Sequence, residues 1–439
     1  MTDTNATQRL SMCLSELVLL KLLSTGKGSK VFLARDLAAD RHLALKVIPK
    51  KQRSYASING ALREQTILLQ LTQQSDPFFL PIIASWHDSA NFYLATHYFP
   101  GGDMAVELMR CRTFDEDRAR IYMAQLIIAL ERLHSRKIIH RDLKPSNILF
   151  DASGHLVLAD FGVARCFDDY CLTRAETNDS GCFIQPFPEQ YTTTRECGTL
   201  LFMSPEQHRG DAYSFEVDYW ATGVILYRML LGTMPFGNDA TQKCDISKSV
   251  LEDELSFDDL PAISVSAKHL LRSLLAKNPS ERIPGAEIKS HPFFLGIDWQ
   301  AVETRCIESP WTPYIAPIPV NSRTTITVEH GAPYPPWADP HPKFTWYSSF
   351  SSQKLPEKMS EKKSRSCCGL SFFSRLFRSR FSDSGCESSP PSRTVFELQL
   401  SDRAQLSTSS VHAFSPDQTL CASPSPLSPK YHEKLGSMV

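Results

Sequence analysis

An excess of charge of one sign, Cys-x-x-Cys pairs and long apolar runs are all missing from this sequence. The 47 lysines and arginines nearly balance the 48 aspartates and glutamates, so the formal net charge is −1. A balanced charge creates no global field that would attract nucleic acid or an acidic partner. The 12 cysteines form no Cys-x-x-Cys pair, and therefore neither a zinc site nor a disulfide framework is predicted.

The N-terminal residues give no signal for secretion or membrane insertion. They do not show the basic and then apolar order of a secretory signal. The apolar run from Leu17 to Leu23 is interrupted by Lys21 and is too short to span a bilayer. These features predict a cytoplasmic protein in a reducing environment, with the nucleus or a membrane surface as alternative locations.

The 439 residues change character along the chain. Apolar residues recur with strand and helix periods up to about residue 319. Strand-like runs occupy 14–23, 29–35, 42–48 and 91–99, and helix-like segments occupy 58–71, 118–134 and 217–231. About a quarter of residues 351–439 are serine and Ser-Pro pairs recur there, which predicts a largely disordered tail.

The strongest chemical signal is the octapeptide HRDLKPSN at 140–147. Phosphoryl transfer needs a carboxylate that orients the attacking hydroxyl and accepts its proton, a cation near the moving phosphoryl group, and a magnesium ligand. Asp142, Lys144 and Asn147 are the residue types required, at the spacing of the protein-kinase catalytic loop.

A second signal is the tripeptide Asp160-Phe161-Gly162, which follows a strand-like run. Alone it is weak, because the same three residues occur in ordinary turns. At its distance of 18 residues from Asp142, Asp160 matches the carboxylate that chelates magnesium across the ATP phosphates.

A third signal lies upstream, where Lys46 ends the run Ala44-Leu45-Lys46 and Glu64 occupies the following helix-like segment. Each of them taken alone is most simply a solvated surface charge. Together with the two downstream motifs, they match a lysine that holds the α- and β-phosphates and the glutamate that pairs with it.

Architectural positions complete a pattern that resembles the protein kinases. They are Cys197-Gly198-Thr199, Pro205-Glu206, Asp218-x-Trp220-x-x-Gly223 and Asn278-Pro279-x-x-Arg282. The pattern covers most of residues 17–294, and the lysine two places after Asp142 resembles the serine/threonine branch. The resemblance implies an α+β, bilobal protein kinase fold with a small antiparallel β-sheet N-lobe and a larger helical C-lobe. It also implies a phosphotransferase that uses ATP and Mg²⁺ on protein serine and threonine hydroxyls.

The resemblance assigns roles residue by residue. Asp142 and Lys144 would be catalytic, and Asn147 and Asp160 would hold the metal. The ATP site would comprise Leu23, Gly26, Val31, Ala44, Lys46, Glu64, Thr96 as gatekeeper, Tyr98 in the hinge, and Leu149. Regulatory roles would fall to Arg141, Thr194 and Thr199.

The hinge and the C-terminal region resemble the AGC group, which includes the cyclic-AMP-dependent kinase. The hinge carries the run YFPGGD at 98–103, and an Ile-Asp-Trp run at 297–299 precedes a proline-rich stretch. The domains expected are an N-terminal extension at 1–16, the kinase domain at 17–294, an AGC-type tail at 295–350 and the serine- and proline-rich tail at 351–439. The later PKFTWYSSF loosely resembles the hydrophobic motif of the group, and docking of Phe344 and Tyr347 competes with an unstructured aromatic patch.

Two regions depart from the family pattern. The glycine-rich loop keeps Gly26 but has Ser24 and Ser29 at the other two glycine positions, which predicts weakened nucleotide binding. The activation segment is long, which predicts a mobile insertion. It also has Arg195 where many AGC kinases carry a phosphothreonine, and we expect phosphorylated Thr194 or the Glu196 carboxylate to supply the negative charge near Arg141.

The resemblance also indicates partners. Protein substrates and an upstream activating kinase are expected, with a monomeric chain and no nucleic acid. Of the three acidic groove positions of the cyclic-AMP-dependent kinase, only Asp103 is acidic here, whereas Ser146 and Arg228 occupy the others. Arg228 would repel an arginine two residues before the acceptor, so we expect substrates with at most one upstream arginine and tolerance of an acidic residue.

Two alternatives stay open at this point. A pseudokinase that binds nucleotide and acts as a scaffold or allosteric partner would explain the altered glycine loop and the missing threonine, while a small-molecule phosphotransferase fits the activation segment poorly. In the tail, the paired cysteines, aromatics and arginines of 367–381 suit either a basic linker or a palmitoylated membrane contact.

Overall fold

The structure is a computed structural model that describes residues 12–26, 28–50, 55–167, 191–195, 197–238, 242–258, 262–318 and 326–348. The interpretations of 1–11 and of 351–439, including the possible membrane contact at 367–381, lie outside the described residues.

A six-stranded antiparallel sheet forms the first part of the molecule. Its strands are β1 (Leu17–Thr25), β2 (Lys30–Asp36), β3 (Arg41–Pro49), β4 (Ile82–His87), β5 (Asn91–His97) and β10 (Trp346–Tyr347). Their order across the sheet is β1-β2-β3-β5-β4-β10. In β3 the alternate residues Leu43, Leu45 and Val47 are buried, because successive side chains of a strand point to opposite faces.

Helix α1 (Tyr55–Gln73) lies between β3 and β4 in the chain and carries Glu64. Its buried residues Ala61, Ile67, Leu68 and Leu71 belong to the main core. Their spacing places them on one helix face, so the packing of that face fixes the side on which Glu64 emerges.

Helices dominate the second part, as the long periodic segments predict. They are α2 (Met104–Cys111), α3 (Glu116–Ser135), α4 (Pro205–Arg209), α5 (Glu216–Leu231), α6 (Lys243–Glu252), α7 (Val265–Leu274), α8 (Gly285–Ile288) and α9 (Trp299–Glu303). Short strands form two small antiparallel sheets, β6 (Ile138–Ile139) with β9 (Arg165–Cys166) and β7 (Ile148–Phe150) with β8 (Leu156–Leu158). A small sheet lobe and a larger helical lobe give the expected bilobal α+β fold.

A buried ion pair between Arg282 and Glu206 stabilises the helical lobe. Arg282 donates from Nη1 and Nη2 to the two carboxylate oxygens of Glu206 at 2.7 and 3.0 Å. Both side chains are at most 2 % exposed. Such a two-point contact is geometrically specific, and it fixes α4 against the segment that follows α7.

Candidate active site

The segment between β6 and β7 gathers the residues that the sequence singled out. Lys144 donates from Nζ to Asp142 Oδ2 at 2.7 Å and to Thr199 Oγ1 at 2.9 Å. The Thr199 hydroxyl in turn donates to Asp142 Oδ1 at 2.7 Å. Asn147 donates from Nδ2 to the backbone carbonyl of Asp142 at 2.8 Å. One carboxylate thus lies at the centre of a cation, a hydroxyl and an amide.

Asp218, at the start of α5, holds the backbone that precedes Asp142. Its two carboxylate oxygens accept from the amides of His140 and Arg141, both at 2.9 Å. The His134 ring lies 2.8 Å from Asp218 Oδ2 through Nε2. Burial acts to raise the pKa of Asp218, but these hydrogen bonds outweigh it and lower that pKa. The ionised form of Asp218 therefore fixes the backbone of His140 and Arg141, directly before Asp142.

Lys46 joins the sheet lobe to the segment after β8. Its Nζ lies 2.6 Å from Glu64 Oε1 and 2.7 Å from Asp160 Oδ1. Burial acts to lower the pKa of Lys46, but the two carboxylates raise it above its usual value. The same cation lowers the pKa of Asp160 to about 2. Lysine and aspartate are therefore both charged at neutral pH.

Close packing surrounds this cluster. A Cβ atom at Gly162 would come within 3.3 Å of both Asp160 Oδ1 and Glu64 Oε2, which is why a residue without a side chain follows Phe161. The Phe161 ring contacts Phe79 at 6.3 Å and His140 at 5.2 Å between centroids. Phe161 is fully buried, and it therefore links the sheet lobe to the catalytic segment.

Four of the residues predicted for the ATP site share one face of the sheet. Lys46 pairs with Val31 across β2, and Ala44 pairs with Thr96 across β5. Since residues two apart on a strand point the same way, the register places all four side chains together. Of the other five, Glu64 is buried and pairs with Lys46. The remaining four are all partly or fully exposed: Leu23, Gly26, Tyr98 and Leu149. Exposed apolar side chains beside a cation suit a nucleotide, with its flat base and charged phosphates.

The turn between β1 and β2 is short and tight. Gly26 donates its amide to the Ser29 carbonyl at 2.8 Å, and Gly28 donates to the Gly26 carbonyl at 2.6 Å. Gly28 has a φ of 83°, a backbone conformation that favours glycine. Ser24 remains within the strand pairing, opposite Val31. The two serines therefore do not prevent the hairpin from forming.

Arg141, which the sequence predicted to meet a negative charge, contacts neutral groups. It donates from Nε to the Val163 carbonyl at 2.7 Å and from Nη2 to the Ala164 carbonyl at 3.4 Å. Its Nη1 lies 3.4 Å from Tyr213 Oη. Burial raises the pKa of Tyr213 to about 12, so the hydroxyl keeps its proton and donates to the Arg195 carbonyl. The Thr194 side chain is exposed, and Glu196 lies outside the described residues.

The three groove positions differ in their exposure and contacts. Asp103 caps α2 by accepting from the Val106 amide at 3.0 Å, and burial raises the pKa of its carboxyl group. Ser146 is exposed, and Arg228 is half-buried in α5. One carboxylate oxygen of Asp103 is thus already used to cap α2.

The C-terminal segment 326–348 docks on the sheet lobe. Phe344 is 1 % exposed, and its ring lies 4.8 Å from that of Phe92. Its backbone carbonyl accepts from Gln65 Nε2 at 3.2 Å, and Tyr347 Oη accepts from Arg41 Nη2 at 3.4 Å. Of the two interpretations of this motif, the docked one is therefore correct.

Sequence reasoning did not single out His134, Tyr213 or Gln65. Each acts through a contact that is distant in the chain, and no local pattern marks it. Within the described ranges, no cluster of three or more histidines, cysteines, aspartates or glutamates could hold a metal ion. No described helix is both long and apolar enough to cross a bilayer.

Comparison with known proteins identifies the family. The model of the protein kinase domain matches residues 17–294. The serine/threonine-protein kinase gad8 of Schizosaccharomyces pombe is 35 % identical over 301 residues, which is 68 % of this chain and 48 % of gad8. The serine/threonine protein kinase ypkA of Aspergillus fumigatus is 35 % identical over 309 residues, 70 % of this chain and 45 % of ypkA.

A vertebrate relative is similar too. The RAC-beta serine/threonine-protein kinase A of Xenopus laevis is 32 % identical over 301 residues, 67 % of this chain and 57 % of that protein. The chain spans about half the length of the curated relatives it matches. The chain belongs to the protein kinase family, and its relatives are serine/threonine kinases of the AGC group.

Proposed function

We propose that this chain is an active serine/threonine protein kinase that transfers the γ-phosphate of ATP to protein hydroxyl groups. The observation that carries the proposal is the assembly around Asp142, where Lys144 and Thr199 both lie within hydrogen-bond distance of its carboxylate. The Lys46 contacts with Glu64 and Asp160 complete the arrangement. The relatives' names as serine/threonine kinases support the same activity.

The residues have separate tasks. ATP would donate its γ-phosphoryl group to the acceptor oxygen with ADP as the leaving group, and bound Mg²⁺ would neutralise charge on the phosphates. Asp142 would orient the acceptor hydroxyl and take its proton, and Lys144 beside it would offset developing negative charge. Lys46 would hold the α- and β-phosphates.

The donor set suits magnesium. Asn147 has its amide nitrogen engaged with Asp142, which leaves its carbonyl oxygen as the metal donor. Asp160 contributes a carboxylate that remains ionised, since its pKa is about 2. Oxygen donors of this kind are those that Mg²⁺ prefers.

The competing pseudokinase interpretation predicts that binding occurs without transfer. Against it, each residue type assigned to proton, metal and phosphate contact is present, and the contacts of Lys46 with Asp160 and of Lys144 with Asp142 support transfer. Transfer of labelled phosphate from Mg-ATP to a mixture of serine and threonine peptides decides between them. Wild-type transfer that disappears in Asp160→Asn supports the kinase. Binding of Mg-ATP by a wild type that never labels the peptides supports the scaffold.

We further propose a substrate preference set by Arg228. A half-buried guanidinium at this position disfavours an arginine two residues before the acceptor and tolerates an acidic residue there. Asp103 is the one acidic residue of the three groove positions, and it is partly engaged in capping α2. We therefore expect the groove to bind at most one upstream arginine of the substrate. A peptide array is the test, and a requirement for arginines at two upstream positions would refute the preference.

Regulation by charge is part of the proposal. The exposed Thr194 is accessible to an upstream kinase, and phosphate there, or the Glu196 carboxylate, adds negative charge near Arg141. The effect on rate is modest, since Arg141 already contacts two carbonyls and Tyr213. A Thr194→Ala, Glu196→Gln double variant with full activity under activating conditions would contradict it.

We also propose a monomeric, cytoplasmic protein. The paired cysteines Cys367 and Cys368 are the sites at which palmitoylation would add a peripheral membrane contact. Gel filtration and cell fractionation test both points. A Cys367→Ser, Cys368→Ser variant that leaves the membrane fraction would favour the lipid-anchored form, and a wild-type chain absent from membranes would favour the basic linker.

A further inference from the structure

Three aromatic rings meet where the chain enters and leaves residues 168–190. Phe167 precedes this range, Tyr191 follows it, and Phe215 lies just before α5. The centroids of Phe167 and Tyr191 are 5.5 Å apart, and those of Phe215 lie 6.0 Å from Phe167 and 6.1 Å from Tyr191. We call these three residues the aromatic clasp. All three separations lie within the range of favourable edge or tilted ring contacts.

Polar contacts fix the same rings. The Phe167 amide donates to the Lys137 carbonyl at 2.9 Å, and Lys137 Nζ lies 4.7 Å from the centre of the Tyr191 ring. The Tyr191 carbonyl accepts from Ser214 Oγ at 2.5 Å. A cation over the face of a ring attracts it electrostatically. These contacts therefore hold Phe167 and Tyr191 against the helical lobe.

A path of contacts leads from the clasp to the catalytic carboxylate. The Phe215 ring lies 4.9 Å from the His134 ring. His134 contacts Asp218 at 2.8 Å, and Asp218 binds the amides of His140 and Arg141. These two residues directly precede Asp142 in the chain. A displaced Phe215 would therefore disturb the group that fixes the backbone at the catalytic base.

A second path runs along the end of the activation segment. Thr193 and Tyr213 exchange backbone hydrogen bonds at 2.9 and 3.0 Å. The Tyr213 hydroxyl connects the Arg195 carbonyl to Arg141 Nη1. Both paths end at His140 or Arg141, the residues that directly precede Asp142.

We propose that the aromatic clasp organises the catalytic loop, so that the packing of Phe167, Tyr191 and Phe215 helps to position Asp142. Tyr191 and Phe215 are positioning residues, since they act through His134 and Asp218 and touch no reacting atom. The proposal rests on the proposed kinase function, and it assigns part of the catalytic rate to this packing.

The test uses the full-length chain after phosphatase treatment, as wild type and as Tyr191→Ala, Tyr191→Phe and Phe215→Leu. Tyr314→Ala is the matched control, because Tyr314 is 84 % exposed. We expect treated wild type, Tyr191→Phe and Tyr314→Ala to share one kcat, whereas Tyr191→Ala and Phe215→Leu lose about 10- to 100-fold, as small displacements of catalytic groups do. KM for ATP should stay within about twofold, because the lost contacts act on the catalytic step.

Amide exchange gives a readout that general destabilisation would not mimic. Hydrogen exchange at His140 and Arg141 should accelerate in Tyr191→Ala, while the peptide that contains Lys46 is unchanged. A Tyr191→Ala variant with wild-type kcat would overturn the proposal. So would a Tyr191→Ala variant that loses ATP affinity and melting temperature along with rate. If no preparation transferred phosphate, the proposed kinase function would be refuted. An unchanged amide exchange rate at His140 in Tyr191→Ala would separately refute the positioning role of the clasp.

Discussion

Replacement of Phe344 by alanine should lower both the stability of the protein and its kcat. The side chain is 1 % exposed, and its ring meets that of Phe92 at 4.8 Å. Replacement of a buried phenylalanine by alanine costs about 3–5 kcal/mol of unfolding free energy. A loss of 1 kcal/mol lowers the melting temperature of a domain of about 150–250 residues by about 2–4 °C. For this larger domain we therefore expect a decrease of about 5–10 °C.

The same change should affect catalysis through α1. The Phe344 carbonyl accepts from Gln65, the neighbour of the Glu64 that pairs with Lys46. Loss of the ring releases this backbone contact and loosens the helix, so kcat should decrease along with stability.

The assay for Phe344→Ala is thermal unfolding with peptide phosphorylation on the same samples. Trp337→Ala is the matched control, since Trp337 belongs to the same docked segment and is 87 % exposed. The control should remain within about 0.5 kcal/mol of wild type, as surface substitutions usually do. Equal melting temperatures for the two variants would refute the reasoning, because burial of Phe344 would then contribute nothing.

Three further predictions address the site, the helical lobe and the surface of the small lobe. Lys46→Met should lower kcat/KM for Mg-ATP by about 10²–10³-fold in steady-state kinetics, as loss of a preorganised charge does, and a wild-type value would remove Lys46 from the site. Glu206→Gln should cost about 3–5 kcal/mol in urea unfolding, because Arg282 would be left as a buried cation without its carboxylate; a cost below about 1 kcal/mol, as in an exposed pair, would contradict this. Burial lowers the pKa of Lys50 to about 8, so between pH 8 and 10.5 the folded state releases this proton before the unfolded state does, and stability rises with pH. The melting temperature of wild type minus that of Lys50→Met should therefore increase as pH rises above 8, and a constant difference would show that the shift is absent.

The candidate active site could be predicted from the sequence because its residues lie in short motifs at fixed spacing. Asp142, Lys144 and Asn147 lie within six consecutive residues, and the catalytic loop that they form brings them together in space. Lys46 was predicted only in the context of the two downstream motifs, because alone it is most simply a surface charge. The register of its strand, which sets the direction of its side chain, is a finding of the structure.

Contacts between distant segments could not be derived in the same way. His134 and Asp218 are separated by 84 residues, and neither has a neighbouring pattern that would reveal the partner. Periodicity reports which face of an element is buried but not what covers that face. The docked position of Phe344 belongs to this class, because an aromatic cluster after a proline-rich stretch suits either a docked or an unstructured segment.

The most direct test of the kinase assignment is a paired measurement on Asp142→Asn. Binding of Mg-ATP and transfer of labelled γ-phosphate to serine and threonine peptides are measured on the same preparations of wild type and variant. We predict that the variant binds Mg-ATP as wild type does, because Asp142 contacts Lys144 and Thr199 and is not one of the assigned metal or nucleotide contacts, while transfer falls to background. Equal transfer by the two proteins, or no transfer by either, would contradict the assignment of Asp142 as the base of an active kinase.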